Sequence, residues 1–122
     1  MMADVVGGVL WATEQATKLA AANVELTATG KTRDKGSVAN MALGGDPSQS
    51  LNDVINKAVK SGTYFAVAAG NSNRDACSCS TASAEEAITI NASSLGDDRA
   101  YFPNHSQCVD IFAPGECLDS VW

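Results

Sequence analysis

The sequence predicts one α/β domain of 122 residues, built on a parallel β-sheet with flanking helices. Helix-like and strand-like segments alternate with short links along the first 70 residues, which is typical of parallel strands joined by helical crossovers. Residues 65–69 form a continuous apolar run of strand length, as expected for a strand that is buried on both faces. A hydrophobic content of 45% and a charged content of 18% are those of a globular protein.

Two segments have the periodicity of helices. Residues 4–22 carry apolar side chains at three- and four-residue steps, and Asp4 lies near the start, where the helix dipole favours an acidic group. A second helix is predicted to begin after Ser50, a candidate N-cap, with Asp53 as its capping-box partner. Gly62 is well suited to end this helix.

The strands are predicted from short apolar runs between residues that break secondary structure. They span residues 37–43, 64–69, 87–92 and 108–113, and residues 118–122 resemble the start of a further strand. The polar segments between these elements are predicted loops, and they comprise residues 28–36, 71–86 and 96–106.

Charge and hydropathy argue against two classes of partner. The net charge is −6 at pH 7 and the basic residues are scattered, so we expect no nucleic-acid or anionic-membrane surface. No apolar run approaches the ~20 residues that span a bilayer. Residues 1–4 lack the basic region and apolar core of a signal peptide.

Four cysteines lie in the last 46 residues of the sequence, at Cys77, Cys79, Cys108 and Cys117. An even number favours disulfide bonds formed in an oxidising compartment, with three possible pairings. The alternatives are free thiols and a metal site made by all four thiolates, whose usual spacing this sequence does not match.

The segment most informative about function is Phe-Ala-Val-Ala-Ala-Gly-Asn at residues 65–71. An apolar strand ends at Gly70 and is followed by the side-chain amide of Asn71, so the strand end can hold an N–H donor over a pocket. Two further segments accompany it, Ala-Leu-Gly-Gly at residues 42–45 and Asp-Ile-Phe-Ala-Pro-Gly at residues 110–115.

In this order and spacing, the three segments resemble the subtilisin-like serine proteases, and most closely the proteinase K-like branch. The resemblance covers most of the chain and implies the central part of a three-layer catalytic domain. It also implies that Asn71 donates to the oxyanion of a tetrahedral intermediate. Small residues at two strand ends would form the walls of a pocket for an extended polypeptide substrate, namely Ala42, Leu43, Gly44, Ala68, Ala69 and Gly70.

The same resemblance implies a structural calcium ion. The matching ligands are the carboxylate of Asp110 and the backbone carbonyls of Glu85 and Ala87. Calcium accepts a mixed set of oxygen ligands of this kind.

The resemblance further implies a disulfide bond between Cys77 and Cys108, which match positions that pair in some relatives. This bond would join the loop after residue 71 to the strand at 108–113. Cys79 and Cys117 would then pair with each other or stay free. The cysteines and the family together imply a secreted, extracellular protein.

Three polar residues outside these segments are not predicted to take part in catalysis. His105, the only histidine, lies outside any His-Gly-Thr helix start and is predicted to be a surface loop residue. Asn91 and Asn104 each begin a glycosylation sequon. We predict that the second sequon, in a loop, is usable in a secreted protein and that the first arises by chance.

The Ser-His-Asp mechanism needs a nucleophile, a base and a carboxylate in contact. The Asp-Thr-Gly, His-Gly-Thr and Gly-Thr-Ser-Met-Ala segments that carry them in the family are absent from these 122 residues. We therefore expect a serine endopeptidase domain fragment that supplies the oxyanion hole and the substrate groove and is inactive alone. The alternatives are a non-catalytic peptide-binding module and an unrelated disulfide-bearing α/β domain in which Asn71 only caps a turn.

Overall fold

A computed structural model describes residues 2–28, 36–96, 98 and 103–116, without the side chains of residues 22–28. The described strands lie side by side in the order β1-β2-β3-β4, and all three pairs are parallel. The predicted parallel α/β fold is therefore confirmed. In chain order the elements are α1 (Met2–Ala28), β1 (Ser37–Met41), α2 (Gln49–Lys60), β2 (Thr63–Ala68), a short 3-10 helix (Ala76–Ser78), β3 (Ile88–Ser93) and β4 (Ile111–Pro114).

Helix α2 covers one face of the sheet. Its fully buried side chains, Leu51, Ile55 and Ala58, lie on one stripe and pack into a core with Phe65 and Val67 of β2. Burying a leucine, isoleucine or phenylalanine side chain stabilises the folded state by ~1.5–3 kcal/mol, so this stripe fixes the helix on the sheet. Helix α1 packs against α2 and contributes residues to the same core.

The start of α2 differs from the prediction. The N-cap is Ser48, which has an extended backbone and whose Oγ accepts from the Leu51 amide at 3.4 Å. Ser50 already lies within the helix, so it does not form a capping box with Asp53. The end agrees with the prediction, because Gly62 follows the helix with a φ of +103°.

The predicted strands have the right number and order in the described residues, but their ends are displaced. β1 stops at Met41, before residues 42–45, and β4 begins at Ile111 rather than at Cys108. Residues before β4 form a turn instead, in which the amides of Cys108 and Val109 are bonded to Ser106. The predicted strand at 118–122 lies outside the described residues.

The other face of the sheet is not covered by any helix of the described residues. Half-buried small and aliphatic side chains line a groove of about 400 Å³ along it, including Ala66, Ala68, Ile90, Ala92 and Ala113. A parallel sheet is normally covered on both faces, so this groove is the place where a further layer would pack. No helix in the described part of the chain is long and apolar enough to cross a membrane.

Candidate functional site

Asn71 lies directly after β2, at the edge of the sheet where the parallel strands end. The Ala69 amide still bonds to the Ile90 carbonyl of β3 at 2.9 Å, and Gly70 then turns the chain with a φ of +95°. The side chain of Asn71 is exposed and forms no hydrogen bond with any residue the structure describes. Its amide is therefore available to a group that enters from solvent.

A cleft of about 210 Å³ lies beside Asn71, between the ends of β1 and β2. The structure brings all of the predicted wall residues together in it, while their role in substrate binding stays a prediction. Arg74 is the only charged residue among those described that line the cleft. The predicted residues are Ala42, Leu43, Gly44, Ala68, Ala69 and Gly70, and the residues not predicted are Gly45, Ser72, Arg74, Cys79, Ser80 and Asn104.

The wall after β1 is held by the segment that follows the 3-10 helix. The Gly45 amide donates to the Ser80 carbonyl at 2.7 Å, and the Thr81 hydroxyl donates to the Leu43 carbonyl at 3.2 Å. A Cβ atom on Gly44 would lie 3.1 Å from the Ser80 carbonyl oxygen. The close approach of these two segments explains why a residue without a side chain stands at position 44.

Asn104 is the most extensively bonded residue near the cleft, and it is 2% exposed. Its Nδ2 donates to the Ala69 carbonyl at 2.9 Å, and its Oδ1 accepts from the Ser72 and Arg74 amides at 3.1 and 2.9 Å. The prediction of a usable glycosylation site at Asn104 is therefore wrong for the folded chain, because the side chain is buried and fully engaged. Asn91 is 3% exposed and bonded at both side-chain atoms, which agrees with a chance sequon.

The disulfide bond between Cys77 and Cys108 is present, with the sulfur atoms 2.01 Å apart. It joins the loop after β2 to the turn before β4, and it removes two of the thiolates that a four-cysteine metal site would need. Cys79 is a buried free thiol that lines the cleft. Cys117 lies outside the described residues.

Asp110, the candidate calcium ligand, stands immediately before β4 and is exposed. Its Oδ2 accepts from the Thr89 amide at 2.7 Å, and its own amide donates to the Thr89 carbonyl at 2.9 Å. These two bonds fix the carboxylate beside the start of β3, close in sequence to Ala87. The part of the chain that the structure describes holds no cluster of three or more His, Cys, Asp or Glu residues suited to a metal, so calcium there would depend on carbonyl oxygens.

His105 is exposed, as predicted for a surface loop residue. Its backbone bonds to the Arg74 carbonyl and to the Ala76 amide, each at 2.8 Å. Its backbone therefore links the loop before β4 to the loop after β2.

Comparisons with known proteins identify the family. The model of the subtilase family matches residues 3–121. The chain is 52% identical over 121 residues to the subtilisin-like serine protease Pen ch 18 of Penicillium rubens, covering 99% of this chain and 23% of the relative. It is 51% identical over 122 residues to alkaline protease 2 of Aspergillus fumigatus, covering 99% of this chain and 24% of the relative.

The fold leads to the same family. A crystal structure of a cold-adapted subtilisin-like serine proteinase matches with a TM-score of 0.81 at 35% identity, covering 100% of this chain and 38% of that one. The chain spans about a quarter of the length of the curated relatives that it matches. With a family match over nearly all of its residues and a parallel sheet that superposes on a subtilisin-like proteinase, this chain belongs to the subtilase family of serine proteases.

Proposed function

We propose that this chain supplies the oxyanion donor and the substrate cleft of a serine endopeptidase. The observation that carries the proposal is the exposed amide of Asn71, which has no hydrogen-bond partner among the described residues and lies on the wall of a cleft between two strand ends. Family membership supports a proteolytic role, because the relatives named above are serine proteases. The Ser-His-Asp chemistry would come from residues outside this chain.

The proposed role of Asn71 is electrostatic. When a scissile carbonyl is attacked, negative charge develops on its oxygen, and a fixed N–H donor stabilises that charge without reorganising. Gly70 places the donor directly after a paired strand, so its backbone is held by the sheet. Removing one such donor lowers kcat by ~10²–10³-fold, a magnitude known from an asparagine of a subtilisin and borrowed from that case.

The proposed substrate is an extended polypeptide. Residues 42–44 follow β1, which is an edge strand of the described sheet, and they belong to no helix or strand, so a peptide can join their backbone by hydrogen bonds. The Leu43 carbonyl is already bonded to Thr81, so pairing would use the backbone groups of Ala42 and Gly44. A side chain of the substrate would enter between these residues and the end of β2, where the lining residues are small.

The proposal is tested in a chimeric protease in which this segment replaces the matching segment of alkaline protease 2 from Aspergillus fumigatus. We expect Asn71→Ala to lower kcat by ~10²–10³-fold on a peptide substrate while KM changes little. Asn56→Ala is the matched control, because Asn56 also carries a side-chain amide but lies on α2, outside the cleft. An unchanged kcat in the Asn71 variant would refute the oxyanion role.

A non-catalytic peptide-binding module is the second candidate. The cleft itself favours it, because the residues after β1 and at the end of β2 that line it can receive an extended peptide without any catalytic group. In this case the protein would bind an extended peptide without cleaving it, and Gly44→Trp would abolish binding because a side chain there meets the Ser80 carbonyl. Cleavage of the bound peptide by the whole protein would exclude this candidate.

We also propose the calcium site that the family resemblance implies. One carboxylate oxygen of Asp110 is held by Thr89, and no described residue donates a hydrogen bond to the Glu85 and Ala87 carbonyl oxygens. A set of free oxygen ligands suits calcium. We expect millimolar calcium to raise the Tm and Asp110→Asn to abolish the rise, whereas the exposed helix variant Asp53→Asn keeps it. An equal rise in both variants would contradict the site.

The disulfide bond favours an oxidising compartment, and we propose an extracellular protein on that basis. Free-thiol labelling of the natural protein checks this proposal. Labelling of Cys77 and Cys108 in freshly isolated material would contradict it.

A further inference from the structure

The loop that carries Asn71 has little hydrogen bonding of its own. Residues 71–74 belong to no helix or strand, and Asn73 adopts a left-handed backbone with a φ of 47°. A donor that stabilises developing charge must be held in place before the reaction, because misplacement by ~1 Å can cost ~10²-fold in rate. The loop therefore needs an external support.

That support comes from a single buried side chain. On the near side of Asn71, the Ala69 carbonyl accepts from Asn104 Nδ2 at 2.9 Å. On the far side, the Ser72 and Arg74 amides both donate to Asn104 Oδ1, at 3.1 and 2.9 Å. The Asn104 side chain thus binds the chain on both sides of Asn71.

The backbone of Asn104 is anchored as well. Its amide donates to the Gly70 carbonyl at 2.8 Å, and its carbonyl accepts from Asn91 Nδ2 of β3 at 2.7 Å. A Cβ atom on Gly70 would lie 2.7 Å from Asn104 Nδ2. The glycine beside Asn71 is therefore required by the close approach of Asn104 as well as by its own positive φ.

From these contacts we infer that Asn104 is the positioning residue for Asn71: it clamps the loop on both sides of the donor and so sets the direction of the donor's amide. This inference rests on the proposed function, since it assumes that Asn71 acts as the oxyanion donor. Asn104 does not itself touch the reacting atoms in this assignment. It acts through the Ala69, Ser72 and Arg74 backbone groups.

The test is a double-mutant cycle in the chimeric protease described above, with kcat and KM measured for each variant. Asn104→Ala is expected to lower kcat by ~10²-fold with a smaller change in KM, because the donor is misplaced while the cleft wall formed by residues 42–45 is left in place. In an Asn71→Ala background the same change is expected to have almost no further effect on kcat, because no donor is left to position. Equal losses in both backgrounds would overturn the inference, as would an unchanged kcat.

Two further variants separate positioning from general stability. Asn104→Asp keeps the acceptor for the Ser72 and Arg74 amides and loses the donor to Ala69, so we expect it to retain more kcat than Asn104→Ala. Asn52→Ala is the matched control: Asn52 is also buried, donates to Ser83 Oγ at 2.8 Å and lies on α2 away from the cleft. It is expected to lower the Tm with kcat unchanged.

Hydrogen exchange gives a readout that does not depend on activity. The Ser72 and Arg74 amides are expected to exchange at least ~10-fold faster in Asn104→Ala than in the parent, and to stay protected in Asn104→Asp. An inactive parent chimera would overturn the proposed function, and the exchange rates would then still decide whether Asn104 holds the loop. Unchanged exchange in Asn104→Ala would overturn the inference whatever the activity.

Discussion

The disulfide bond between Cys77 and Cys108 is expected to be a major source of stability for this chain. Its cysteines are 31 residues apart in sequence. In the chain-entropy model, closing a loop of that length removes ~12 cal/mol/K from the unfolded state, which corresponds to about 3.7 kcal/mol at 25 °C. Small domains are stable by only ~5–15 kcal/mol, so the loss of this bond would remove a large share of the total.

The assay is urea unfolding followed by circular dichroism, comparing the oxidised chain with Cys77→Ala/Cys108→Ala. With a slope of ~2 kcal/mol/M, the midpoint is expected to fall by about 2 M, or the variant is unfolded before urea is added. Cys79→Ala is the control, because Cys79 is the free buried thiol and its loss removes packing without opening a loop. A decrease of less than ~1 kcal/mol in the double variant, with the slope unchanged, would refute the entropic argument.

Three further predictions concern the chain alone, the loop glycine and the helix cap. The pure 122-residue chain is expected to show no turnover of a chromogenic peptide, because it carries none of the triad segments; turnover blocked by a fluorophosphonate would contradict this. Gly70→Ala is expected to lower kcat in the chimeric protease, because the new Cβ atom would lie 2.7 Å from Asn104 Nδ2; an unchanged kcat would show that the loop adapts. Ser48→Ala is expected to cost ~0.5–2 kcal/mol of unfolding free energy, whereas Ser50→Ala costs almost nothing; equal costs in urea unfolding would contradict the observed cap.

The strands and the order of the elements could be predicted because buried parallel strands have a strong sequence pattern. The run at residues 64–69 is apolar and of strand length, and it forms β2 with a shift of one residue at each end. The ends of the helices and strands are harder to predict, because they depend on local hydrogen bonds that several neighbouring residues could form equally well. Ser48 and Ser50 are both acceptable N-caps by residue type, and only the backbone conformation distinguishes them.

The strand predicted at 108–113 shows a second reason why the end of an element could not be predicted from the sequence. Its first residues look strand-like because Val109 and Ile111 are apolar and β-branched. The hydroxyl and the carbonyl of Ser106 nevertheless hold the Cys108 and Val109 amides in a turn, so pairing with β3 starts only at Ile111. Side-chain competition for backbone groups of this kind has no periodic pattern in the sequence.

Site residues that lie in short, recognisable sequence segments could be predicted, whereas a residue whose contacts are distant in the sequence could not. Asn71 and the cleft walls follow from two strand-end segments that can be read directly. Asn104 could not be recognised in this way, because its partners Ala69, Ser72 and Arg74 lie 30 to 35 residues earlier in the chain. In the sequence it is one polar residue in a polar loop, and only the folded chain reveals that it is buried.

The alanine-lined groove and the cleft beside Asn71 are neighbouring spaces that share five lining residues. Each of these residues borders both spaces. Because protein interiors transmit changes in volume, a bulkier side chain on either side would be felt on the other. A layer that packs on the alanine-lined groove would thereby change the shape of the cleft beside Asn71. The shared residues are Ala42, Ala68, Ala69, Gly70 and Asn71.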